Sequence, residues 1–291
     1  MPSTRDIRRR IKSVKNTAQI TKAMQMVASS KMRKAQLAAL AGRPYAGLMN
    51  KVMGDVAAAN ADFTHPFMEK RDGAKRVVII VSSDKGLCGA LNSNLTREAT
   101  KFDKDTTVFV CAGKKGAQFV ARTKRKLIAE FNYKDSPLFA EARAISKFVQ
   151  EMFLKGEVDR VDILYTNFIS TLNQKPELKQ LLPIGELKGV KTGFSTGEAE
   201  ALAQSGVEYV FEPGADSVLG ALLPHYLNFQ VYQILLEAKA SEHSSRMVAM
   251  KNATDNAKQL IKDLTLEYNK LRQANITREL LEITSAAMAM S

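Results

Sequence analysis

The sequence predicts an α/β protein in which an open sheet domain is inserted between two long terminal helices that pair as an antiparallel coiled coil. Three patterns predict it. The stretch from about Asp216 to Ser285 has no proline after Pro224 and no glycine after Gly220, and residues of high helix propensity dominate it. The chain start carries a heptad repeat. Between these ends, apolar runs of strand length alternate with amphipathic segments. Roughly 70 helical residues reach about 105 Å, well beyond the width of a compact domain, so the last helix needs a partner outside a core. The readings divide the chain into residues 1–58, 74–213 and 214–291.

Taken in order, the first helix begins at Ser3, an N-cap with Asp6 in the first turn. Ile7, Ile11, Val14, Ala18, Thr21, Gln25, Ala28, Met32 and Ala35 then recur at alternating steps of four and three. Large apolar residues fill the early turns and small or polar ones the middle, so the seam allows close approach but buries little per turn. A second stripe, Ile20, Met24 and Val27, runs one residue out of phase. It is either the flank of a wide seam or a surface for a surrounding protein. Pro44 should interrupt the helix near residues 42–44, and the stretch from Gly54 to His65-Pro66 should end it.

In the middle, Arg71-Asp72-Gly73 marks a turn and Arg76–Val81 a fully buried strand. The loop Ser82–Gly89 leads to a helix starting near Ala90 or Leu91. A strand from Thr107 into Cys111 is followed by the turn AGKKG and an amphipathic segment. Leu138–Phe153 reads as helix, Arg160–Ile169 as strand, Leu181–Leu187 as strand or extended and Gly206–Pro213 as the last strand. That order fits an open, Rossmann-like sheet with flanking helices. The nucleotide motifs are missing, however. Only Gly86 and Gly89 stand at G-x-G-x-x-G spacing, and Gly113-Lys114-Lys115-Gly116 does not make a P-loop. The Ser82–Gly89 loop therefore reads as a structural turn, with Asp84 capping either the turn or the following helix.

In the last helix Met250, Ala253, Ala257, Leu260 and Leu264 continue the three-four spacing. The register blurs around Tyr268 and Leu271 and resumes at Ile276, Leu280, Ile283 and Ala287. A seam that breaks and resumes predicts a helix paired for part of its length and exposed for the rest.

The formal net charge is +13. The first helix holds most of it, with twelve basic residues against Asp6 and Asp55, whereas the last is nearly balanced. Such an imbalance calls for an acidic-surfaced partner. Nucleic acid is disfavoured, because the basic residues overlap the heptads and do not form a separate arm. His65, His225 and His243 are too scattered for a histidine-rich metal site, and no cofactor motif is present. Cys88 and Cys111 read as reduced, buried thiols. No apolar run approaches the roughly 18 residues of a membrane span, and the start MPSTRDIRRR lacks the apolar stretch of a signal peptide. Neither paired carboxylates nor a nucleophile with its base is evident, so the chain does not read as an enzyme by itself.

Ser13–Met32 (SVKNTAQITKAMQMVASSKM), Ser82–Asn94 (SSDKGLCGALNSN), Ser244–Ala257 (SSRMVAMKNATDNA) and Leu264–Ile283 (LTLEYNKLRQANITRELLEI) resemble the gamma subunits of F-type ATP synthases along the whole chain. The resemblance implies a non-catalytic central rotor stalk without a cofactor. Its paired helices would stand inside an alpha3-beta3 hexamer and couple rotation of a membrane c-ring to the catalytic sites. By the same resemblance Ile20, Lys22, Met24, Arg246, Gln273 and Thr277 are hexamer contacts. Tyr209 and Glu212 belong to the foot near the ring, where the epsilon subunit (delta in mitochondria) also docks. The cysteine-bearing regulatory insertion of chloroplast members is missing from this sequence. The implied location is peripheral, on the cytoplasmic face of a bacterial inner membrane or alternatively the matrix side of the mitochondrial one, without a transmembrane span.

Overall fold

The computed structural model describes residues 3–59, 65–71, 73–184 and 214–290. The elements are α1 (Thr4–Ala41), α2 (Arg43–Ala59), a single 3-10 turn (Pro66–Met68), β1 (Arg76–Val81), α3 (Leu91–Thr100), β2 (Thr107–Ala112), α4 (Lys114–Arg122), β3 (Lys126–Phe131), α5 (Phe139–Leu154), β4 (Arg160–Phe168), β5 (Gln174–Leu182) and α6 (Ala215–Met290). They form two compact units, one of Met1–Val27 with Met247–Ser291, the other of Ala28–Arg246.

In the first unit α1 starts at a reciprocal cap. The Asp6 amide donates to Ser3 Oγ at 3.2 Å, and the Ser3 hydroxyl donates to the Asp6 carboxylate at 2.7 Å. The Ser3 hydroxyl foremost, and then the Ser3 amide at 3.4 Å, donate to the Asp6 carboxylate and hold it below its usual range. The predicted α1 seam is the covered face: Ile7 is buried, and Ile11, Val14, Ala18, Thr21 and Gln25 are half-buried. Its register against α6 is pinned where Thr21 Oγ1 lies 2.8 Å from Thr254 Oγ1. Counting outward in opposite directions matches Gln25 with Met250, Ala18 with Ala257, Val14 with Ile261, Ile11 with Leu264, Ile7 with Tyr268 and Thr4 with Leu271. All of these are buried or half-buried. Counting in the same direction sets Gln25 against exposed Lys258 and Ala18 against exposed Lys251. The pairing is therefore antiparallel, as the sequence predicts.

The α6 seam differs in detail from the sequence reading. Thr254 and Ile261 occupy it, while Ala253 is half-buried at its side and Leu260 is 41% exposed. The repeat does not blur at Tyr268 and Leu271, since both are half-buried in step with it. From Arg272 to Met288 every side chain is exposed. The resumed stripe of Ile276, Leu280 and Ile283 is thus solvent-facing in this chain, as a helix paired for only part of its length requires.

In the second unit a five-stranded sheet has the order β3-β2-β1-β4-β5. β1 to β4 are parallel, and β5 runs antiparallel to β4 at the edge. One face packs α2, α5 and α6, with Met53, Val77, Ile79, Ile145, Phe153, Ile163 and Leu235 in the core. The other face packs α3 and α4 around Val78, Ile80, Leu95, Phe109 and Val120. β1 is buried on both sides, which explains its unbroken apolar run RVVIIV. Gly42 separates α1 from α2 and Pro44 sits in the first turn of α2, where a missing amide proton costs nothing. Two strands went unread. β3 alternates exposed and half-buried residues at an edge, so its sequence KLIAEF merges with the amphipathic stretch before it. β5 lies earlier than the expected Leu181–Leu187 because it is a charged edge strand carrying Pro176. The expected strand Gly206–Pro213 lies outside the described residues.

Candidate functional site

The chemistry-bearing side chains of the second unit gather around one stretch of α6. Every residue from Gln233 to Ser244 is buried. Three turns of helix present every face, so the unit encloses α6 all round there. The enclosed surface is not apolar: it includes Gln233, Glu237, Lys239, Ser241, Glu242, His243 and Ser244. Charged groups at this depth need partners, and most of them have partners.

Lys239 Nζ donates to Glu242 Oε2 at 2.9 Å and stands 4.5 Å from the centre of the Tyr133 ring. Tyr133 in turn donates its hydroxyl to Ser82 O at 3.1 Å. The other oxygen of Glu242 accepts from Arg246 Nη2 at 2.8 Å. Asp135, between β3 and α5, accepts from Lys31 of α1, and its Oδ1 lies 3.8 Å from both Lys239 Nζ and His243 Nε2. The Lys31 hydrogen bond is the main reason its carboxyl is held low; Lys239 and His243 act the same way, against partial burial. Asp135 thus joins α1, the β3–α5 connection and α6.

His243 is 2% exposed, and burial pushes its imidazole down to about 4 despite Glu242 and Asp135. Arg246 Nη1 sits 3.3 Å from His243 Nδ1. An arginine only donates, so Nδ1 accepts and the neutral ring carries its proton on Nε2. That Nε2 has no hydrogen-bond partner. On another face of α6, burial raises the Tyr165 hydroxyl, with Glu237 and Glu177 adding to the effect. Burial likewise lowers Lys179, partly offset by the same two glutamates.

The loop after β1 closes on this girdle. Ser82 Oγ accepts from the Gly116 amide at 2.7 Å, and Asp84 Oδ1 accepts from the Lys114 amide at 3.0 Å. Asp84 therefore caps α4, which is neither its own turn nor the next helix. Gly113 has φ +104°, and a Cβ there would lie 2.2 Å from Ser82 O, so only glycine fits between the β1 and β2 ends. Leu87, at the loop tip, is 61% exposed with φ +62°, a left-handed conformation unusual for leucine. Cys88 and Cys111 are free and buried, and burial raises the Cys111 thiol to about 12. Among the described residues no group of His, Cys, Asp and Glu could hold a metal, and no helix is long and apolar enough to cross a membrane.

The residues singled out by resemblance fall in three places. On α1, Ile20 is 60% exposed, Lys22 is exposed with its Nζ 3.3 Å from Gln25 Oε1, and Met24 is half-buried. With Val27 55% exposed, the second stripe is mainly open surface, and only Met24 lies along the seam. On α6, Gln273 and Thr277 are exposed just past the paired segment. Arg246 belongs to the girdle. Tyr209 and Glu212 lie outside the described residues. Sequence reasoning missed Asp135, Lys239, Glu242 and His243, which are scattered singly along the chain; the run EAKASEHSSR, polar yet free of breakers, is the signal that could have found the last three.

The comparisons with known proteins agree with this geometry. A family model described as ATP synthase matches residues 3–290. An ATP synthase gamma chain of Opitutus terrae is 50% identical, with 99% of each chain covered, and one of Methylacidiphilum infernorum is 45% identical over the full length of both. Among solved structures, a chain from the central stalk and c-ring of Tetrahymena thermophila mitochondrial ATP synthase is 27% identical with a TM-score of 0.61, covering 80% of this chain and 99% of that one. A rotor chain of Euglena gracilis mitochondrial ATP synthase, at 19% identity and TM-score 0.65 over 94% and 98% of the two chains, shares the fold. Matched end to end by its relatives, the chain belongs to the ATP synthase gamma family.

Proposed function

We propose that this central-stalk subunit is the turning shaft of the complex, carrying rotation between a membrane ring and the catalytic sites of an alpha3-beta3 hexamer. The observation that supports it is the enclosed segment Gln233–Ser244, with Lys239 facing Asp135 and the Tyr133 ring and Arg246, just beyond, held by the Lys85 and Gly86 carbonyls. An apolar grip is non-directional and lets a helix turn in place. Turning α6 inside this unit would instead take Lys239 away from Asp135 and the Tyr133 ring, and Arg246 away from the Lys85 and Gly86 carbonyls, while the pairs of Glu242 lie within the helix and turn with it. A helix held in this way transmits twist.

On this reading Ile20, Lys22, Met24, Gln273 and Thr277 face the hexamer, which supplies the cover that the exposed stripes lack in the isolated chain. Arg246 would serve the same interface from its place beside Glu242. Tyr209 and Glu212 would meet the ring, and the epsilon subunit, delta in mitochondria, would dock on the α/β unit. The subunit itself would be non-catalytic, with ATP chemistry left to its partners. Its bacterial relatives support a peripheral position on the cytoplasmic face of the inner membrane.

The test is co-expression with the hexamer-forming subunits. One copy should join six, and the purified assembly should hydrolyse ATP faster than the hexamer alone. A chain that fails to join, or joins without changing hydrolysis, overturns the proposal.

A further inference from the structure

In open α/β sheets ligands enter at the carboxyl edge, in the crevice where the strand order reverses, because the loops on its two sides diverge there. Here the reversal lies between β1 and β4. The chain itself fills the crevice. Three consecutive residues of α6 reach main-chain carbonyls of the loops on its two sides. Ser244 Oγ donates to Thr171 O at 2.9 Å, after β4. Ser245 Oγ donates to Cys88 O at 2.7 Å, after β1. Arg246 Nη2 donates to Lys85 O at 3.2 Å and Gly86 O at 3.3 Å, with Nε 3.4 Å from Gly86 O. The anion-binding start of α4 nearby is taken as well, by Asp84 and Ser82.

These are the last residues that α6 contributes to the second unit before it continues to Met290. We propose that the crevice is the drive socket of the rotor: Ser244 and Ser245 are positioning residues that lock α6 in rotation to both loops, and through them to the ends of β1 and β4. The inference rests on the stalk reading above. The two hydroxyls pull toward opposite sides of the reversal, so a twist of α6 in either sense stretches one of them. Both carbonyls are also held from within their own loops, Cys88 O by the Leu91 amide at 3.3 Å and Thr171 O by Gln174 Nε2 at 2.8 Å, so they yield little. The helix backbone is unbroken through the socket, so loosening these bonds adds torsional compliance and does not disconnect the shaft.

The experiment uses the whole F1 assembly with the hexamer fixed to a surface and a bead on the α/β unit. The double variant Ser244→Ala/Ser245→Ala should keep its ATP hydrolysis rate, while the variance of bead angle in the pauses between steps rises by about twofold, two of the bonds to the loops being lost. Ser245→Thr, which keeps the hydroxyl, should restore most of the stiffness to the Ser244→Ala background. If the double variant does not assemble, Ser245→Ala alone is read by the same variance. A variance equal to that of the unsubstituted assembly overturns the socket. Failure of the unsubstituted assembly to rotate overturns the stalk reading instead, so the two failures are distinct.

Discussion

Thr21 Oγ1 of α1 lies 2.8 Å from Thr254 Oγ1 of α6, joining residues 233 positions apart. Each hydroxyl also reaches a carbonyl of its own helix, Ala18 O at 3.1 Å and Met250 O at 2.8 Å. Thr254 is 3% exposed. The pair is a polar rung in an otherwise largely apolar seam, and it fixes the register because a slip of one rung would part the two hydroxyls and set the half-buried Thr21 against Ala257 or Met250.

Thr21→Val or Thr254→Val, each nearly isosteric, should lower unfolding stability by about 1 kcal/mol, and the double variant should lose less than the two singles together. Urea unfolding of the full chain measures the cycle. A strictly additive result would mean that the hydroxyls do not interact.

The register makes adjacent residues unequal. Ile261→Ala, in the seam, should destabilise by about 1 to 2 kcal/mol, less than a fully enclosed core position because Ile261 is only half-buried. Leu260→Ala, beside it but 41% exposed, should change stability by less than about 0.5 kcal/mol. The opposite ranking in thermal melts would restore the seam that hydrophobicity alone suggests.

Asp162 is fully buried on β4. It accepts from Arg160 Nε through both oxygens at 2.9 Å and lies 3.2 Å from Arg76 Nε on β1. Burial raises its carboxyl against the pull of both arginines. Asp162→Ala should cost about 2 to 3 kcal/mol, at the low end for a broken buried pair because both arginines retain access to water. Glu151→Ala, which removes the exposed Lys147–Glu151 contact, should hardly register. Equal denaturation midpoints for the two variants would count against a structural role for Asp162.

His243 gives the girdle a pH dependence with a defined sign. The folded imidazole titrates near 4, against an ordinary 6.5. Between those values the unfolded chain binds the proton that the folded chain refuses, so stability is lost as pH falls from about 6.5 to about 4 and levels off below that. The loss attributable to this group is on the order of 2 to 3 kcal/mol. His243→Gln should flatten that part of the stability profile. An unchanged slope would place the titration elsewhere.

Much of this protein can be read from its residues alone. The heptads of α1, the run RVVIIV, the break at Gly42-Arg43-Pro44 and the length of α6 depend on local periodicity and backbone preference, which neighbours in sequence determine. The exposed stripe of Ile20 and Val27 was legible for a related reason: apolar residues outside the seam stand out against a basic helix. The edge strands β3 and β5 were not legible, because half of each faces water and their pattern carries little burial.

The antiparallel register, the α6 residues that enter the seam and the buried girdle were decided only by tertiary structure. Thr254 belongs to the seam because Thr21 stands opposite it, and Leu260 is left outside by the same match. Asp135 acquires its role only when folding brings Lys31, Lys239 and His243 around it. Periodicity fixes which residues share a face, but the partner of a face is set by contacts between distant segments, where the energy of a polar group depends on what lies across from it.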